Sequence, residues 1–175
     1  MHMFVLFLAM VQGVPEEPID WDKEFGVEEV ERDPITGELP VDPYVETNAN
    51  ADADPFSDGK MAAQFGGNSG IRASAERTVT LSQEDARIAE IFAAHDMVRL
   101  NRTLYEQFCY LLNAGCDYTG RNMRTAHADM GVERADMNAL VENLQQAMRE
   151  AGVPFGAQNR FLAKLAPMSK DIVTR

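Results

Sequence analysis

The run Tyr118-Thr119-Gly120-Arg121-Asn122-Met123-Arg124-Thr125-Ala126-His127-Ala128-Asp129-Met130-Gly131-Val132 lies inside a chain of 175 residues with only three histidines. Of those, His127 alone sits among apolar side chains at helical spacing, with Met123 one turn before it and Val132 just beyond Gly131. A neutral imidazole is a common metal ligand. Taken alone, though, one histidine on a short helix reads at least as well as a surface or hydrogen-bonded core residue. The flanking segments carry the decision.

Downstream, Glu133–Ala151 reads as a long helix with Met137, Leu140, Leu144, Ala147 and Met148 on one face, stopped by Gly152 and Pro154. A last helix is expected over Ala157–Ile172, with Phe161, Leu162, Leu165 and Met168 inward. Upstream, Asp96–Leu112 is the strongest amphipathic segment. Its apolar residues Met97, Leu100, Leu104, Phe108 and Leu111 recur every three or four positions, and Asn113-Ala114-Gly115 ends it. Before it come a short apolar connector over Ala86–Phe92 and a helical stretch over Ser69–Leu81, whose Thr78-Val79-Thr80 run is a poor helix former. Gly66-Gly67 is a break. No strand pattern competes, so residues 61–175 read as all-α with about five helices.

Charge divides the chain differently. Net charge is -12 overall. Residues 15–60 hold 15 acidic and 3 basic side chains, whereas residues 61–175 hold 13 of each. An acidic arm of this kind repels phosphate, which excludes nucleic acid as its partner. Residues 14–60 also contain six of the eight prolines and the polar tract Asn48–Asp54, so the arm cannot bury enough apolar surface to fold by itself. Trp21, Phe25, Tyr44 and Phe56 are spaced along it like anchors. Two readings stand: a solvated linker, or an arm docked through these aromatics onto a protein partner.

The apolar run at residues 3–11 is too short to span a bilayer and resembles the core of a secretory signal peptide, although the usual basic leader is missing. No transmembrane helix is expected. Export to a periplasmic or extracellular compartment is favoured over the cytoplasm. Cys109 and Cys116 form neither a CxxC nor a CxxCH pattern. They read as a disulfide after export, or as small core residues in a reducing compartment.

Laid out in this order, the pieces resemble the group I truncated haemoglobins, the short two-on-two α-helical globins. The marks are Gly66-Gly67, Phe92 ahead of the Asp96–Leu112 helix, Gly115 after it, the run Tyr118 to Val132, and Leu165-Ala166-Pro167-Met168 in the last helix. The resemblance covers residues 61–175 and implies a truncated 2-on-2 globin-like helical sandwich. The expected organisation is an apolar leader over 1–13, an acidic arm over 14–60 and a globin domain over 61–175. It also implies haem b as cofactor, with His127 as the proximal iron ligand and Phe92 wedged against the porphyrin. Met97, Leu100, Leu104, Phe108, Met123, Val132, Met137 and Leu140 would wall it, with Tyr118 in the proximal run. Arg121 or Arg124 would pair with a propionate. The competing reading is that the Met97–Phe108 and Met137–Leu144 stripes simply pack on each other.

Departures from the family matter as much. Members usually carry phenylalanine and tyrosine on the helix after Gly-Gly and often a glutamine on the distal helix. Here Thr78-Val79 stand for the aromatic pair and Leu104 for the glutamine, with Leu100 one turn earlier. Donors that would steady a polarised dioxygen are therefore absent from the expected distal wall. Carbon monoxide and nitric oxide lose less, and nitric oxide dioxygenation is disfavoured. With Glu76-Arg77-Thr78 where the family is aromatic, the distal-side helix is also expected to have lost its apolar face. Two functions remain: a haem globin that binds a diatomic gas or takes part in redox chemistry, and a globin-derived accessory subunit docked through its arm.

Overall fold

The computed structural model describes Gly26, residues 30–93 and residues 95–174. The apolar leader and the anchors Trp21 and Phe25 lie outside the described residues. The chain divides into two units, Met1–Glu31 and Arg32–Arg175. All the helices among the described residues belong to the second unit.

Every regular element among the described residues is helical: α1 (Lys60–Gln64), α2 (Gly67–Glu84), α3 (Ala89–Ala93), α4 (Met97–Leu111), α5 (Met123–Ala126), α6 (Arg134–Glu150), α7 (Phe155–Leu165) and α8 (Ser169–Ile172), with 3-10 turns at Asn48–Ala51 and Ala166–Met168. The break before α2 is made by Gly66 and Gly67, both left-handed with φ of 79° and 66°. Asp96 caps α4 by accepting from the Val98 N–H at 3.2 Å. Glu133 and Asp136 cap α6 reciprocally. The last helix is not continuous. Pro167 lacks an N–H, and the chain tightens into the 3-10 turn there before resuming as α8.

The α2 helix runs straight through its poor helix formers and corrects the expectation of a lost face. Ile71, Ala75 and Val79 are buried beside Ser74, Thr78 and Ser82. Those three hydroxyls donate to carbonyls one turn back: Ser74 to Gly70 at 2.9 Å, Thr78 to Ser74 at 2.7 Å and Ser82 to Thr78 at 2.8 Å. Each buried hydroxyl is satisfied inside its own helix, so a face of small residues can be buried without orphaned polar groups. Over that face α2 packs on α6 and on α4. The core continues under them around Phe161, which meets Phe65 and Phe108 edge-on at centroid distances of 5.3 and 4.9 Å.

Residues 32–59 contain no α-helix, yet they lie on the helical domain. Tyr44 donates its hydroxyl to the Thr119 carbonyl at 2.8 Å, and the Phe56 N–H bonds the Leu111 carbonyl at 2.9 Å. Two of the arm's four aromatics therefore have partners in the chain's own domain. No helix among the described residues is long and apolar enough to cross a membrane.

Candidate functional site

α4 and α6 both rest on α2 but make at most slight contact with each other. Along α4, Phe108 and Leu111 are buried while Met97, Leu100 and Leu104 are only half-buried. Along α6 the same gradient holds, with Leu144, Ala147 and Met148 buried and Met137 and Leu140 half-buried. Phe92 on α3 is half-buried too. Met97, Leu100, Leu140 and Phe92 stand apart from the contiguous core. These part-exposed apolar side chains on α3, α4 and α6 are the kind of lining that an apolar ligand would cover.

His127 closes α5 as its C-terminal cap. Its Nδ1 lies 2.8 Å from the Met123 carbonyl oxygen, which also accepts the His127 backbone N–H at 3.1 Å. A carbonyl can only accept, so Nδ1 carries the proton and the neutral ring keeps its lone pair on Nε2. Burial lowers the imidazole pKa; the backbone hydrogen bond opposes that, and His95 adds to it. The ring is thereby kept neutral, with Nε2 free of the proton and bonded to no group among the described residues. This is the form a metal requires. Among the described residues no cluster of three or more His, Cys, Asp or Glu could hold an ion.

Met123 and Val132 are buried on either side of this histidine. Tyr118 is buried as well, but its role is local: the hydroxyl donates to the Arg121 carbonyl at 2.7 Å and closes the turn before α5. Gly120 is required inside that turn, because a Cβ there would overlap the Tyr118 ring. The arginines read as propionate partners already have protein partners. Arg121 donates to the Asp42 carbonyl at 2.9 Å and lies over the Tyr44 ring at 5.2 Å. Arg124 is exposed and paired with Asp171.

On the side of α2, the Thr78 hydroxyl is spent on Ser74 and offers no donor. Cys109 and Cys116 form a disulfide with Cα atoms 5.6 Å apart, stapling the end of α4 to the loop that leads toward α5. Residues the sequence did not flag are Glu38, Asn48, Asn50 and Asp52. Each bonds a group 64 or more positions away in the chain, and nothing periodic announces such contacts.

A helical domain with one neutral histidine at the end of a short helix and part-exposed apolar stripes on two longer ones is globin-like in its construction. The model of the bacterial-like globin family matches residues 62–174, and the chain belongs to that family. It is 25% identical over 111 residues to the group 1 truncated hemoglobin GlbN of Mycolicibacterium paratuberculosis, covering 63% of this chain and 82% of that protein. With the group 1 truncated hemoglobin of Tetrahymena pyriformis it shares 24% over 110 residues, 63% of this chain and 91% of the relative. The crystal structure of the Fe(III) Tetrahymena truncated hemoglobin superimposes with a TM-score of 0.63 at 23% identity, over 66% of this chain and 98% of that one. The Synechococcus 2/2 hemoglobin gives 0.61 at 21% identity, with the same coverage. The fold is the truncated 2-on-2 globin fold.

Proposed function

We propose that this protein binds haem b between α4 and α6 and uses it to bind a diatomic gas or to exchange electrons. The supporting observation is the His127 ring, held neutral with Nδ1 committed to the Met123 carbonyl, which leaves the lone pair on Nε2. His127 is the protein ligand to iron. Phe92, Met97, Leu100, Leu104, Met137 and Leu140 supply apolar contact to the porphyrin. Phe108, Met123 and Val132 back that lining from the core. The bound iron supplies a site for a gas ligand or a one-electron couple. The chain's own contribution is to exclude water and to offer no distal hydrogen-bond donor, since Leu100 and Leu104 are hydrocarbon and the Thr78 hydroxyl is bonded to Ser74. Such a pocket favours carbon monoxide and nitric oxide over dioxygen. The disulfide supports placement in an oxidising compartment.

The deciding experiment is an absorption spectrum of the purified protein, oxidised, reduced, and reduced with carbon monoxide. A Soret band that shifts with carbon monoxide and disappears in His127→Ala is expected. A protein that stays colourless and helical after mixing with haem would overturn the reading. The alternative, an accessory subunit docked through its arm, draws no support from residues 32–60, where Glu38, Tyr44 and Asp52 bond the chain's own globin domain.

A further inference from the structure

We infer that residues 32–60 are a strap that ties α4 to α5 and positions His127; its consequence for haem rests on the haem-binding reading above. The family match at 62–174 covers the globin domain apart from its end residues, and the strap falls outside it.

One end of the strap grips α4 from behind. Glu38 is 5% exposed and receives Arg102 Nε at 2.5 Å and Arg102 Nη2 at 3.0 Å, with Arg99 Nη1 at 3.0 Å. Arg99 also donates to the Leu39 carbonyl at 2.6 Å. The α4 cap residue Asp96 accepts the Leu39 N–H and Arg32 Nη1, each at 2.8 Å. At 100° per residue, Arg99 and Arg102 lie roughly half a turn around α4 from Met97, Leu100 and Leu104. The strap therefore holds the helix by the face opposite its apolar lining. Arg102 reaches on to Thr119 Oγ1 at 2.5 Å and so bridges strap, α4 and the loop before α5.

The other end holds α5. Asn48 Oδ1 accepts the Tyr118 N–H at 2.7 Å, Asn50 Nδ2 donates to the Gly120 carbonyl at 3.0 Å, and Asp52 Oδ2 accepts the Met123 N–H at 2.6 Å. Met123 thus has its N–H on the strap and its carbonyl on the His127 ring. A helix of four residues has no stability of its own, because nucleation costs more than its single turn returns. Its orientation, and that of His127, is set by these outside bonds. Asp52 and Glu38 are positioning residues.

The test uses the full chain and three variants: Asp52→Ala, Asp52→Asn and Glu38→Gln, with Glu46→Ala as a control at an exposed carboxylate of the strap. Amide hydrogen exchange over residues 118–127 is measured on haem-free protein. Haem transfer to excess apomyoglobin and the iron–histidine stretching band are measured on loaded protein. Asp52→Ala is expected to raise both exchange and haem loss roughly tenfold and to shift the stretching band, the loss of one charge-assisted hydrogen bond. Asp52→Asn, which keeps an accepting oxygen, restores most of this. Glu38→Gln gives a smaller rise, and Glu46→Ala none.

Unchanged exchange over 118–127 in Asp52→Ala, or an equal effect from Glu46→Ala, overturns the strap. If Asp52→Ala does not fold, Glu38→Gln decides, and unchanged exchange there overturns it. A wild-type protein that takes up no haem removes the haem-binding reading, while exchange in the haem-free protein still judges the strap.

Discussion

His127 carries the proposed chemistry through its two nitrogens: Nδ1 is committed to a carbonyl, and Nε2 keeps the lone pair. Removing the ring removes the only imidazole so placed among the described residues, and His127→Ala is expected to abolish the Soret band while far-ultraviolet circular dichroism stays helical. The opposite wall is defined by what it lacks. Introducing an amide at Leu104→Gln places a donor where the side chain is now hydrocarbon and half-buried. One neutral hydrogen bond is worth about 1 kcal/mol. Dioxygen dissociation, measured by stopped flow, should slow roughly five- to tenfold, and carbon monoxide dissociation should change much less. Equal slowing of both gases would indicate a steric rather than a donor effect.

At the scale of elements, the short ones depend on their neighbours. α5 is a single turn, and what orders it comes from the strap, from Asn122, whose Oδ1 accepts the Thr125 N–H at 2.9 Å, and from the Tyr118 hydroxyl. The strap's grip on α4 is pH-dependent with a definite sign. The Arg102 hydrogen bond holds Glu38 below its usual 4.5, while burial opposes this. A depressed folded pKa means that the unfolded chain binds the proton more readily. The stabilisation is therefore complete above pH 4.5 and is lost as pH falls through the lower folded value. Limited proteolysis within 32–60 should accelerate as pH drops below 4.5, ahead of the loss of helical signal, and Glu38→Gln should lack that step. The disulfide acts on a neighbouring connection. It closes a short loop with a sequence separation of 7. Cys109→Ser with Cys116→Ser should cost about 2 kcal/mol, seen as a fall of roughly 5 °C in Tm.

At the scale of the whole molecule, stability rests on the apolar centre shared by α1, α4 and α7. Phe161 is fully buried and packed edge-on by two other phenylalanines. Phe161→Ala is expected to cost about 3–5 kcal/mol and to lower the midpoint of thermal unfolding by roughly 10 °C. That centre was legible in the chain because apolar residues at helical period leave one solution for which face turns inward. So were the all-α class, the run leading to His127 and the apolar stripes of α4 and α6, each carried by neighbours a few positions apart. Glu76-Arg77-Thr78 misled because polar residues read as an exposed face, whereas Thr78 is buried with its hydroxyl bonded one turn back to Ser74. Three outcomes were settled only by tertiary packing. α4 and α6 both pack on α2, Arg121 and Arg124 are engaged by Tyr44 and Asp171, and the acidic segment 32–60 turns back onto its own domain. The physical reason is common to all three. Local periodicity tells a residue which way to face, but a single polar bond between residues 57 to 79 positions apart leaves no periodic trace until the chain has folded around it.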